Sequence, residues 1–120
     1  MCIRDRTIIV ASGTSFFAGM IGARYIQDIA GMPASVEVAS EFAYAPGPLS
    51  ARTLVIAISQ SGETADVLMA VQRARDAGAS VVALVNKEGS ELTRTAQSVL
   101  YLHAGPVSYT HLTLPTILLV

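Results

Sequence analysis

The sequence predicts an α/β fold with a parallel sheet, on three observations. Short apolar runs rich in β-branched residues recur along the chain, helix patterns lie between them, and two of the runs are apolar at every position. The runs are Thr7 to Ala11, Ser35 to Ala39, Thr53 to Ser59, Ser80 to Val85 and Ser98 to Leu102, all of strand length. In the third and fourth, Leu54-Val55-Ile56-Ala57-Ile58 and Val81-Val82-Ala83-Leu84-Val85, nothing alternates. Runs of that kind belong to strands covered by helices on both faces, the usual setting of a parallel sheet.

The first helix is expected over Thr14 to Ala30, where Phe17, Ile21, Tyr25 and Ile29 recur every four residues and would form its apolar face. Gly31 closes it and Pro33 blocks continuation. A second helix is expected over Thr64 to Ala77, with Val67, Val71, Ala74 and Ala77 on one face and Gly78 as its stop. Between Ala39 and Thr53 the pattern allows a short turn or helix, and Ala45-Pro46-Gly47-Pro48 marks an exposed turn. Ser90 is an N-cap candidate for one more short helix. The resulting order of strands and helices predicts a three-layer αβα, doubly wound, flavodoxin-like parallel sheet of about five strands.

Composition narrows the function. A chain of 120 residues, 52% hydrophobic, has room for one domain with a core. Eight basic and nine acidic side chains leave a charge of -1, so no single-sign field gathers nucleic acid or an acidic membrane. An anion would have to be held by local geometry. The single cysteine, Cys2, gives neither a disulfide framework nor a metal cluster and fits a reducing cytoplasm. The apolar run behind Arg4 and Arg6 is too short for a secretion signal. Gly105, Pro106 and Pro115 break the uncharged stretch after Thr95 before it reaches membrane-spanning length.

In such a sheet, ligands bind beyond the carboxyl ends of the strands. Two segments there lead straight into helices: Ser12-Gly13-Thr14-Ser15 after the first strand, and Ser59-Gln60-Ser61-Gly62-Glu63-Thr64 after the third. Helix starts offer free N–H groups and partial positive charge, and small hydroxyls add donors. Gly13 and Gly62 let the backbone take positive φ or approach a ligand closely. The pattern suits a phosphate ester and needs no lysine. Glu63 would repel such a ligand and is expected to point away. Ser12, Thr14, Ser61 and Thr64 would equally serve as ordinary helix caps, and that alternative stays open at this point.

Other signatures are absent. Gly13 and Gly19 do not complete a dinucleotide fingerprint, although Glu41 follows the second strand where a ribose-binding acid could sit. Gln60 stands where a nucleophile elbow needs serine. His103 and His111, without nearby Cys or Asp, make a poor metal site. No metal or cofactor is expected.

The segment Ser59-Gln60-Ser61-Gly62-Glu63-Thr64-Ala65-Asp66 matches a signature of the glutamine:fructose-6-phosphate aminotransferases, and the chain resembles their first sugar-isomerase (SIS) domain. Ser12-Gly13-Thr14-Ser15, the Val36 to Phe42 segment and His103-Ala104-Gly105-Pro106 are similar to further family motifs, so the resemblance spans about Thr7 to Pro106. It implies that Thr14 and Ser15 contact a sugar phosphate while Ser59, Gln60, Ser61 and Thr64 hold its phosphate group, with Gly13 and Gly62 as backbone support. It also implies a full-length enzyme making glucosamine 6-phosphate from fructose 6-phosphate and glutamine. That enzyme would carry a glutaminase domain and a second SIS domain, and would form a homo-oligomer in the cytoplasm.

The family's acid–base residues lie in the second SIS domain and C-terminal tail, so no catalytic residue is assigned here. Ser12 stands where the family usually has cysteine, and Phe42-Ala43-Tyr44-Ala45 lacks the family's arginines. After Pro106 the family pattern stops. On this reading residues 1–6 are a non-native leader, 7–106 a truncated SIS domain, and 107–120 a non-native tail. The alternatives are a stand-alone SIS isomerase or amino-sugar-phosphate deaminase, and a non-catalytic sugar-phosphate-sensing SIS module of a transcriptional regulator.

Overall fold

The computed structural model describes residues 6–102. The readings made above for residues 1–5, for His103 and His111, and for the segment after Pro106 lie outside the described residues.

Five strands, β1 (Arg6–Ala11), β2 (Ala34–Val38), β3 (Thr53–Ser59), β4 (Ser80–Val85) and β5 (Ser98–Tyr101), form one sheet in the order β2-β1-β3-β4-β5. Every adjacent pair is parallel. This is the flavodoxin-like order expected from the sequence, with its switch point between β1 and β3. Helices α1 (Thr14–Tyr25), α2 (Ala39–Tyr44), α3 (Ala65–Asp76) and α4 (Glu91–Thr95) connect the strands. A π-helical turn, Ile26–Ala30, continues α1 to Gly31. Ala39, expected to end the second strand, opens α2 instead. It is fully buried, and its strand stops at Val38.

The core lies on one side of the sheet. Ile8, Val10, Val55, Ala57, Val81, Ala83 and Val85 face Phe42 of α2, Val67, Ala70, Val71 and Ala74 of α3, and Leu92 of α4. Val67, Val71 and Ala74 point inward as their spacing predicts, whereas Ala77 caps the helix end and is exposed.

The opposite face departs from expectation. Leu54, Ile56 and Ile58 of β3 and Val82 and Leu84 of β4 are only half-buried, in strict alternation with buried neighbours. Among the described residues, α1 alone packs on this face. The two continuously apolar strands are therefore sealed on one side and partly open on the other.

Helix α1 also reverses its expected orientation. Phe17, Ile21 and Tyr25, with Ile29 beyond them, are 52 to 81% exposed, while the buried positions of α1 are Gly19 and Ala23. A Cβ on Gly19 would lie 3.0 Å from Ile9 Cγ2 and 3.1 Å from Val36 Cγ2. Small residues thus let the helix backbone sit directly on the sheet, and the large apolar row faces outward. Gly19→Leu is expected to cost at least about 1–3 kcal/mol, because an overpacked site must displace backbone. Urea unfolding measures it, and unchanged stability would contradict this packing. No described helix is long and apolar enough to cross a membrane.

Candidate functional site

Strands β1 and β3 are direct neighbours, with Val10 opposite Ala57, so both hydroxyl-rich segments leave the sheet side by side at the switch point. Each enters a helix. The sheet topology therefore brings Thr14 and Ser15 to the same edge as Ser59, Gln60, Ser61 and Thr64. A shallow hollow of about 200 Å³, lined by Arg6, Thr7, Pro33, Ala34 and Ser35, lies at the other end of the strands and uses none of these residues.

The first loop turns at Gly13, with φ 61° and ψ −137°, a combination that a side chain strongly disfavours. A Cβ there would meet nothing within 4 Å, so the requirement is conformational rather than steric. Phe16 N–H donates to Gly13 O at 3.1 Å. Thr14 is exposed and Ser15 half-buried. The Ser12 hydroxyl is buried with no hydrogen-bond partner among the described residues.

The second loop is more fully built. Ser59, 3% exposed, accepts the Gly62 N–H at its Oγ (2.9 Å) and lies 3.1 Å from Thr64 Oγ1. Ser61 Oγ accepts the Glu63 N–H at 3.1 Å. Gly62 turns the chain at φ 70°. Gln60 is exposed, while Ser61 and Thr64 are half-buried.

These bonds bear on the capping alternative. Neither α1 nor α3 has a side-chain cap hydrogen bond at its first turn, so the hydroxyls do not spend themselves on helix N–H groups. Those of the second loop shape it instead. A serine hydroxyl that accepts an amide proton still has its own proton to give. Ser59 can pass its proton to Thr64 Oγ1, which leaves the Thr64 O–H for an outside acceptor, and Ser61 keeps its own. The edge is thus rich in donors.

A third segment, β4 to α4, joins the site, and the sequence reading missed it. Gln60 O accepts the N–H groups of Asn86 and Lys87, both at 3.2 Å, and Gly62 O accepts that of Leu92 at 3.0 Å. Glu63 turns toward α4, and its Oε1 accepts the Glu91 N–H at 3.1 Å. Ser90 occupies the N-cap position of α4 but makes no side-chain cap. Its Oγ is buried, has no hydrogen-bond partner among the described residues, and would lie 2.0 Å from a Cβ on Gly62. The partners in this segment are mostly backbone amides, which leave no side-chain signature. The available signal was topological, since β4 pairs directly with β3.

The chain is 50% identical over 102 residues to the isomerizing glutamine–fructose-6-phosphate aminotransferase of Streptomyces coelicolor, covering 85% of this chain and 17% of that protein. It is also 50% identical, over 101 residues, to the Aquifex aeolicus protein of the same name, again spanning 17% of its length. Among solved structures, the C-terminal domain of glucosamine-fructose-6-phosphate aminotransferase from Francisella tularensis superposes with a TM-score of 0.82 at 35% identity, over 86% of this chain and 29% of that one. Glucosamine-6-phosphate deaminase from Thermotoga maritima, at 23% identity and a TM-score of 0.77 over 82% of this chain and 31% of that one, shares the fold. The chain thus spans about one-sixth of its curated relatives. The SIS domain family matches residues 2–120, and with the strand order and loops described above agreeing, the chain belongs to that family.

Proposed function

We propose that the two loops at the switch point bind the phosphate group of a sugar phosphate, and that the chain is the first SIS domain of an isomerising glutamine:fructose-6-phosphate aminotransferase. The observation that carries this is the direction of the loop's hydrogen bonds. Ser59 and Ser61 accept protons from loop amides, so hydroxyl protons remain for a ligand beside two helix starts that lack side-chain caps. Thr14, Ser15, Ser61 and Thr64 contact the ligand, Gln60 flanks it, and Ser59 orders Thr64. The similarity to the aminotransferases supports fructose 6-phosphate and glucosamine 6-phosphate as the ligands.

On this reading the ammonia-supplying glutaminase, the second SIS domain and the acid–base groups for ring opening and proton transfer are supplied by the rest of a longer, oligomeric enzyme. The described residues bind and orient; they do not turn over substrate. The test is a titration of the isotope-labelled chain followed by amide NMR. Glucosamine 6-phosphate is expected to shift Gly13, Thr14 and Ser61 to Thr64, while glucosamine without phosphate leaves them in place. Ser61→Ala and Thr64→Val should each weaken binding about tenfold, the scale of one hydrogen bond to a charged acceptor. Shifts confined to the hollow lined by Arg6, Thr7, Ala34 and Ser35, or variants that bind as tightly as the unmodified chain, would overturn the assignment.

A further inference from the structure

We propose that Glu63 is a positioning residue, whose carboxylate ties the Ser59–Thr64 loop to the first turn of α4 and so holds the loop in its ligand-ready shape. The inference rests on the phosphate-binding reading above and adds a role for the one residue in the loop whose charge opposes it.

Three observations carry it. First, two consecutive loop residues take two consecutive amides of α4: Gly62 O accepts Leu92 N–H at 3.0 Å and Glu63 Oε1 accepts Glu91 N–H at 3.1 Å. Second, Ser90 stands at the N-cap of α4 without capping it, so that end takes its side-chain oxygen from Glu63, 28 residues earlier. Third, a cation backs the carboxylates on the α4 side. Arg94 Nη2 donates to Glu91 Oε2 at 2.7 Å and Nη1 to Gly89 O at 2.9 Å. Its pKa is raised, first by the Glu91 hydrogen bond and charge and further by Glu63.

The negative charge at Glu63 is therefore placed at the amino end of α4, on the side where Arg94 is anchored. On its other flank the loop is held by Gln60 O, which takes the Asn86 and Lys87 amides. With Glu63 removed, the tie on the α4 side reduces to the Gly62 carbonyl alone, and ligand binding would have to supply the ordering.

The experiment uses the full chain with Glu63→Ala and Glu63→Gln. Solvent exchange of the Glu91 and Gly62 amides is read without ligand, affinity is read with glucosamine 6-phosphate, and melting is read for each protein. Glu63→Ala should speed exchange at Glu91 and weaken binding by about five- to tenfold, the worth of one such bond, with little change in melting. Glu63→Gln keeps an accepting oxygen and should restore both to at least the level of the unmodified chain. Unchanged exchange in Glu63→Ala, tighter binding by it, or a Gln variant as impaired as Ala would each overturn the proposal. If the unmodified chain binds no sugar phosphate, the functional reading fails on that result, while the exchange rates still decide whether Glu63 fixes the loop.

Discussion

Gly62→Ala is expected to destabilise the chain by about 3 kcal/mol or more, combining backbone strain with overpacking. At φ 70° an alanine costs about 1–2 kcal/mol even in open space. Here the space is closed: the new Cβ would sit 2.0 Å from Ser90 Oγ, 2.5 Å from Ser90 Cβ and 2.9 Å from Val85 Cγ1. Ser90 and Val85 are buried, so neither can swing clear as an exposed side chain would. The loop or α4 must move. Urea unfolding of Gly62→Ala beside the double variant Gly62→Ala with Ser90→Gly separates the two causes. The second change removes the nearest clash and should recover part of the loss, leaving the conformational strain and the Val85 contact. A Gly62→Ala protein as stable as the original would mean that the loop does not pack against α4 as described.

The second large effect belongs to the core. Phe42→Ala should cost about 3–5 kcal/mol, the range for removing a buried aromatic ring. Phe42 is fully buried on α2, beside Ala39 and Ala43 on the same helix and within the cluster that includes α3. Domains are commonly stable by only about 5–15 kcal/mol, so this single change can approach the whole margin. Phe42→Leu, which keeps most of the volume, should stay within about 1.5 kcal/mol and shows whether the site rather than the ring chemistry is at stake. Equal urea midpoints for Phe42→Ala and the original chain would contradict the burial.

The fold was legible because strand-forming residues and helix stops agree along the chain. Leu54 to Ile58 and Val81 to Val85 announce a parallel sheet by lacking alternation, and Gly31 and Gly78 end helices where expected. What misled was weight. A helical row of Phe17, Ile21, Tyr25 and Ile29 outweighs Gly19 and Ala23 in any hydrophobic pattern, yet the small residues make the contact. Glycine buries backbone rather than side chain, and the pattern does not register it. Short α2 was equally hard to read, since six residues make fewer than two helical turns.

The site divided along the same line. Hydroxyls and glycines at Ser12 to Ser15 and Ser59 to Thr64 are side-chain signals with a chemical meaning, and the parallel pairing of β1 with β3 puts them at one edge. The amides of Asn86, Lys87, Glu91 and Leu92 that hold the second loop belong to every residue type alike. Only the assembled sheet shows which of them are used.

Glycine at the seat of α1 bears on precision. Ile9 and Val36 methyls stand against the helix backbone at Gly19, without a long side chain between them whose rotamers could cushion the contact. The separation of helix and sheet there is a hard stop, as in a journal bearing without a bushing. Five residues upstream, the hydroxyl of Thr14 opens the same rigid rod, so its location over the strand ends is inherited from that stop. A ligand gripped from this side would meet a fixed jaw, opposite a loop that its bonds to the β4–α4 segment hold in turn.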